Sequence, residues 1–265
     1  MNESQKIPKI IHYCWFGGNP LPELAVKCIE SWKKYCPDYE IVQWNEQNYN
    51  VEEIPYTQQA YAAEKWAFVS DYARFKILYE HGGVYLDTDV ELLRPLDDIL
   101  AKGGFMASES NECHVATGLG VAGPKGLPLF QEILEDYAQS CFLKADGTND
   151  TTTVVTRVTK ILERHGLQRK DMMQQAAGIM IYPKEYFCPL DFRTKKLNCT
   201  ANTHAIHYYD GSWWTEEQKF AGNLAVQLRK FLPDRLAKRL ARGAGVLKYR
   251  GYSAFFQKLL KKRKQ

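Results

Sequence analysis

Between residues 66 and 90 the apolar positions change their spacing, and the rest of the chain is arranged about that change. Phe68, Tyr72, Phe75 and Leu78-Tyr79 recur at steps of three and four, which predicts an amphipathic helix with one stripe toward a core. Gly82 and Gly83 then supply the left-handed cap that ends such a helix. Val84-Tyr85-Leu86 reads as a short buried strand and delivers Asp87-Thr88-Asp89 to its end. In an extended backbone residues two apart point the same way, so both carboxylates can address one object.

Upstream, Ile7 to Phe16 is rich in β-branched and aromatic residues and stops at Gly17-Gly18, the pattern of a first buried strand. Pro22 opens a helix through Tyr35, and Tyr39 to Trp44 reads as a second strand. Strand, helix, strand, helix, strand predicts an α/β fold with a mainly parallel sheet covered by helices. Beyond Val90 the pattern loosens. Strands are expected at 104–108, 115–121, 179–182 and 203–208, and helices at 127–142, 152–165, 216–242 and 246–264. Ligands of open α/β sheets collect beyond the carboxyl ends of strands. Trp15 and the Asp87/Asp89 pair are therefore expected at one crevice.

Charge divides the chain. From Thr215 onward there are 14 Lys+Arg against 3 Asp+Glu, a net +11; the preceding 214 residues carry 21 against 28, a net −7. The expected organisation is a mildly acidic folded domain over 1–215 and a basic helical extension over 216–265. No run approaches the length of a transmembrane helix, and the first residues lack an apolar secretory stretch. Seven cysteines without a Cys-x-x-Cys pair argue against a disulfide framework or a zinc knuckle and suit a reducing cytoplasm.

The candidate chemistry follows from these placements. Two neighbouring carboxylates repel unless a cation or a shared proton neutralises them. Oxygen ligands suit a hard divalent ion such as Mn²⁺ or Mg²⁺, which can also hold a diphosphate. Asp71 and Arg74 share a helix face. They are either a surface ion pair of little consequence or, enclosed by Phe68, Tyr72 and Phe75, a grip on sugar hydroxyls or phosphate oxygens. Trp15 fits a base-stacking platform or a core position equally well. His204 and His207 face opposite sides if 203–208 is a strand. They then do not share an ion, and His207 is the better metal or phosphate ligand.

Two other activities compete. Asp87-Thr-Asp-Val90 resembles the nucleophile motif of haloacid-dehalogenase-type phosphatases, but some 80 residues precede it, and the acidic pair Asp97-Asp98 comes too soon to serve that fold's metal. A non-catalytic nucleotide- or sugar-binding module is the other alternative. The cationic tail, apolar on one side, reads as a solvated helical cap or as a peripheral contact with an anionic membrane surface. Nucleic acid is not expected as a partner, because no recognised binding motif accompanies the charge.

Taken together, Ile7-Pro-Lys-Ile-Ile-His-Tyr-Cys-Trp15, Ser70-Asp-Tyr-Ala-Arg74, Gly82-Gly-Val-Tyr-Leu-Asp-Thr-Asp89 and His207-Tyr-Tyr-Asp-Gly-Ser-Trp213 resemble glycosyltransferases of family 32. The resemblance implies a GT-A, Rossmann-like fold and a UDP- or GDP-sugar donor. It implies a glycan or lipid-linked glycan acceptor and a cytoplasmic role in bacterial surface polysaccharide synthesis, at the inner face of the membrane. It further implies that Asp87, Asp89 and His207 hold Mn²⁺ or Mg²⁺ against the diphosphate. Trp15 would stack on the base, with Ser70 nearby and Tyr85 lining the donor site. Asp71 and Arg74 would grip the sugar, and Ser212 and Trp213 would close over the leaving phosphates. Asp71, Arg74 and Asp89 are the expected catalytic residues. Relatives retain anomeric configuration, and attack from the face that the diphosphate leaves is the expected route.

Overall fold

The computed structural model describes residues 6–211 and 215–261, with side chains through Ser253. The chain divides into two compact units, Met1–Leu190 with Leu197–Tyr208, and Asp191–Lys196 with Tyr209–Gln265. The first unit opens with β1 (Ile10–Cys14), α1 (Glu23–Tyr35), β2 (Glu40–Trp44), α2 (Pro55–Ala62), α3 (Trp66–His81), β3 (Gly83–Tyr85) and β4 (Val90–Leu92). It continues with α4 (Asp97–Leu100), β5 (Phe105–Ala107), β6 (Val121–Gly123), α5 (Pro128–Ala138), α6 (Val154–Arg164), β7 (Gln174–Ala176), β8 (Ile179–Tyr182), α7 (Lys184–Phe187) and β9 (Ala205–His207). The second unit holds α8 (Glu216–Leu228) and α9 (Asp234–Lys261).

The central sheet has the order β2-β1-β3-β6-β5-β8-β7. β1 is parallel to β2 and β3, and β5 is parallel to β8, while β6 and β7 are reversed. Five of the seven strands therefore run one way, as the strand–helix alternation predicts. A separate antiparallel pair joins β4 to β9.

Several elements differ from the sequence expectation. The segment leading to α3 holds a further helix, α2, which Pro55 opens from the first-turn position where its missing N–H costs nothing. Of the expected strand at 115–121, Val115 makes an isolated bridge and β6 begins only at Val121, because the residues between form turns. β4, β7 and the reversal of β6 were not expected. The three residues of β4 and of β7 carry too little periodicity to be read.

α3 is the organising helix, and it is buried on nearly every side. Val69, Tyr72, Ala73, Phe75, Ile77 and Leu78 are all enclosed, and so are Asp71 and Arg74. The expectation of a single apolar stripe is thus too narrow. Phe75 packs on Phe130 and Tyr72 on Tyr137, both from α5, with ring centroids 5.8 and 5.9 Å apart. Gly82 and Gly83 end the helix with φ of 68° and 102°. With ψ of −166°, Gly82 lies outside the left-handed helical region expected of a cap. A Cβ on Gly83 would lie 2.8 Å from the Ile10 carbonyl, so β3 lies too close to β1 for a side chain there.

His12 locks the same junction. Its Nδ1 accepts from the Trp44 indole (3.1 Å), so its Nε2 carries the proton and donates to the Gly82 carbonyl (2.9 Å). Burial pushes the imidazole down to about 4. The unfolded chain takes this proton near its ordinary value of 6.5, whereas the folded chain refuses it until about 4. Stability is therefore complete above that window and falls as pH drops through it, by about 3 kcal/mol in all. Urea titrations of wild type and His12→Gln at neutral pH and near pH 4.5 test this: the variant should be weaker at neutral pH and lose less on acidification.

α8 and α9 form an antiparallel hairpin. The capping box of Thr215 and Gln218 starts α8, and Pro233 separates the helices. The break expected at 243–245 does not occur. Gly245 instead faces α8, where a Cβ would lie 3.3 Å from the Glu217 carbonyl, so its small size serves helix contact. The second interruption falls at Gly251, with φ 78° and ψ 177°.

Candidate functional site

The two aspartates meet because of a turn. Residues 88–89 turn between β3 and β4, with the Val90 amide donating to the Asp87 carbonyl (3.1 Å), so strand alternation is not what brings the pair together. The Asp87 amide donates to the Gly118 carbonyl (3.0 Å). β4 then pairs with β9 so that Val90 lies opposite His207, and the Tyr208 amide donates to the Asp89 carbonyl (3.0 Å). That register carries His207 across more than a hundred residues to the turn. Its Nε2 lies 3.1 Å from Asp89 Oδ1.

α1 holds β4 in place. The Trp32 indole donates to the Val90 carbonyl (2.7 Å), and Ser31 Oγ accepts from the Leu92 amide (2.9 Å). Lys27 and the Tyr208 hydroxyl both bond Glu91, which fixes the opposite edge of the ribbon.

One ligand atom each from Asp87, Asp89 and His207 lies within 4.8 Å of the others. Two carboxylate oxygens and an imidazole nitrogen are a donor set suited to Mn²⁺ or Mg²⁺, so these residues fit a divalent ion. Burial opposes charge on His207, but Asp89, followed by Asp87 and Glu109, prevails and holds the imidazole above its ordinary value.

Behind the turn sits Arg74, only 3% exposed. Its Nε donates to the Ser70 carbonyl (3.0 Å), one terminal nitrogen to Thr117 Oγ1 (3.2 Å), and the other to Asp71 (2.9 Å). The second nitrogen also lies 3.4 Å from Asp87, and the guanidinium stacks 4.7 Å above the Tyr85 ring. The reading of Asp71 and Arg74 as a surface ion pair is excluded by this burial. Burial pushes Asp71 up to about 6; Arg74 counteracts this, Asp87 adds to it, and the Val154 amide at the start of α6 helps hold the carboxylate. Tyr85 is buried, and burial with the neighbouring Cys14 raises its hydroxyl well above the ordinary value.

The fold thus gathers Asp71, Arg74, Tyr85, Asp87, Asp89 and His207. Ser70 is beside them, but its hydroxyl donates back to the Ala67 carbonyl (2.9 Å) and only its carbonyl meets Arg74. Trp15 follows β1, half-buried, with its indole donating to the Asn19 carbonyl (2.6 Å). Among the described residues it makes no hydrogen bond or ring contact with the cluster. Ser212 and Trp213 lie outside the described residues. His204 is a buried structural residue, between the Asn202 carbonyl and Asp98 and stacked on Tyr186.

Three contributors were not read from the sequence. Glu109, in the polar segment Ser108-Glu-Ser-Asn-Glu112, looks like a surface loop residue. It is half-buried near His207, and burial pushes its carboxyl up while His207 pulls it down. Thr117 and Gly118 lie in a stretch expected as strand. A Cβ on Gly118 would stand 1.9 Å from Asp87 Oδ2. Gly118→Ala should therefore swing the Asp87 carboxylate aside and weaken Mn²⁺ binding by about 10- to 100-fold with the fold intact. Calorimetric Mn²⁺ titration checks this, and an unchanged affinity would remove Asp87 from the ligand set.

Residues 22–106 match the family described as a glycosyltransferase sugar-binding region containing a DXD motif, and Asp87-Thr-Asp89 is the Asp-x-Asp within them. Over these residues the chain resembles the DXD-containing sugar-binding region of glycosyltransferases. Among curated proteins, the chain is similar to two from Schizosaccharomyces pombe. Inositol phosphoceramide mannosyltransferase 1 is 29% identical over 142 residues, 49% of this chain and 43% of the relative. Inositol phosphoceramide mannosyltransferase 3 is 31% identical over 145 residues, 53% of this chain and 40% of the relative. The chain thus spans about two fifths of the length of these relatives. Among solved structures, PaToxG glycosyltransferase aligns over 60% of this chain and 74% of its own, at 19% identity and a TM-score of 0.42. His207 and Gly118 lie outside the matched region.

Proposed function

We propose that this protein moves a sugar from a nucleotide-sugar donor, of the UDP or GDP type, to a glycan or lipid-linked glycan acceptor with a divalent cation bound. The observation that carries the reading is the convergence of Asp87, Asp89 and His207 from two distant segments on one point. The names of the fungal relatives, which are mannosyltransferases acting on inositol phosphoceramide, favour a mannosyl group and a lipid-borne acceptor. Bacterial surface polysaccharide synthesis at the cytoplasmic face of the membrane is the setting we assign to it, on the resemblance to family 32.

When bound by Asp87, Asp89 and His207, Mn²⁺ or Mg²⁺ supplies Lewis-acid stabilisation of the charge on a departing diphosphate. The chain's own residues do the rest in this reading. Arg74, with its donors committed inside the protein, holds Asp71 and Asp87 in fixed positions. Asp71 accepts from a sugar hydroxyl, and Tyr85 with Ser70 forms the floor of the donor pocket. Trp15 offers its ring to the base, and the assignment of Ser212 and Trp213 to the leaving phosphates rests on the resemblance to family 32. Retention by attack from the face that the diphosphate leaves is part of the proposal.

A donor screen tests it. Purified protein with Mn²⁺ and a panel of nucleotide sugars should release UDP or GDP, and chelation should stop the release. Silence across the panel, with metal-dependent nucleotide binding intact, would favour the non-catalytic binding module. A β-linked NMR product from an α-linked donor would refute retention.

A further inference from the structure

We infer that the helical hairpin of the second unit is a seat for an anionic lipid bilayer, formed by the α8–α9 turn and the first turns of α9. Phe231 in that turn is 84% exposed, and Leu236 and Leu240, one helical turn apart on α9, are 42% and 48% exposed. Large apolar side chains so exposed, and grouped along one side of a helix, mark an interaction surface. Beside them runs a second row, Arg235, Arg239 and Arg242, spaced four and three apart and exposed.

The charge on that row is not neutralised within the fold. Asp234 is already shared by Arg229 (2.6 Å) and Lys238 (2.8 Å), Glu217 is paired with Arg250 (2.5 Å), and Glu216 faces Lys219 (3.7 Å). Among the described residues, Arg235, Arg239 and Arg242 form no ion pair. The opposite side of α9 is committed to α8 through buried Ala237, Ala241 and Gly245, so the outer side is the one free to meet a partner. An apolar row flanked by a cationic row is the arrangement that lies in the interface of an anionic membrane. No helix among the described residues is long and apolar enough to cross one.

Other occupants fit less well. A second copy docked about a two-fold axis would bring each arginine row against its own image. A nucleic acid backbone would satisfy the arginines but leave Phe231, Leu236 and Leu240 without a partner. The inference stands apart from the donor-site reading. If both hold, the seat brings the enzyme to the surface where a lipid-borne acceptor resides.

Co-sedimentation of the full chain with vesicles tests the inference. Binding is expected to phosphatidylcholine vesicles doped with phosphatidylglycerol, and to be at least about tenfold weaker with pure phosphatidylcholine or at high salt. The apolar variant F231S/L236S/L240S and the charge variant R235E/R239E/R242E should each lose about tenfold or more. Both change exposed side chains, and circular dichroism checks their fold. Absence of binding to anionic vesicles, or binding indifferent to both variants and to salt, overturns the inference. So does a two-copy mass in solution that reverts to one in F231S/L236S/L240S. Donor hydrolysis by the same variants reads the catalytic site separately and should be unchanged, so failure of one idea is distinguishable from failure of the other.

Discussion

Replacing Asp87 or Asp89 by asparagine should lower sugar transfer by at least about a hundredfold each, with Mn²⁺ binding lost in parallel. Asparagine keeps the shape of the turn, and its amide can still meet the neighbouring groups. What disappears is the negative charge that holds a divalent ion. The backbone bonds that define the site, from the Asp87 amide to Gly118 and from the Tyr208 amide to the Asp89 carbonyl, are untouched by either change. Melting temperatures should therefore move by only a few degrees while activity collapses. Transfer that persists in Asp87→Asn and Asp89→Asn, or that ignores chelation, would sink the metal-dependent reading. Transfer lost together with the fold would instead make the pair structural. His207 adds a pH signature: with its imidazole held above the ordinary value by Asp89 against the effect of burial, ion and proton compete for it. Mn²⁺ affinity should fall on acidification, and calorimetry across neutral to mildly acidic pH would record it.

Arg74→Ala should cost about 3–5 kcal/mol of folding stability. The reason is asymmetry. Arg74 and Asp71 are both enclosed, and removing one leaves the other's charge in a medium that solvates it poorly. The guanidinium also covers the Tyr85 ring and donates to Ser70 and Thr117, so α3, β3 and the 115–120 segment lose a shared anchor. Urea unfolding of Arg74→Ala, Asp71→Ala and the double variant separates these contributions. The double variant should be more stable than the sum of the single losses predicts, because its orphaned charge is gone. Simple additivity would mean that the two side chains do not act as a pair. Arg74→Lys should fall between, since an ammonium keeps the charge but cannot reach all the acceptors of a planar fork.

Legibility in the sequence followed the length of the signal. α1, α3, α5 and α6 and the strands β1, β2 and β8 stand where three- and four-residue spacing or apolar runs placed them, within a few residues. Strands β3, β5 and β9 fall inside expected runs, but β4 and β7 did not announce themselves, and neither did α2, whose polar residues hide its first-turn proline. The geometry of the aspartate pair was expected from strand alternation and comes from a turn instead. For Arg74 the sequence left a surface ion pair open beside the favoured enclosed reading, because helical spacing reports which residues share a face but not what covers it.

By itself the sequence determined the local elements around Asp87-Thr-Asp89, the direction in which they deliver it, and the uneven distribution of charge between body and tail. These depend on neighbours a few residues away, and such neighbours are fixed by the order of the chain. The tertiary structure alone decided the β4–β9 register that sets His207 beside the aspartates, that Gly118 must lack a side chain so that Asp87 can stand where it does, and that Glu109 is half-buried rather than solvated. Each is a matter of register or packing between segments far apart in sequence, and long-range contact leaves no periodic trace along the chain.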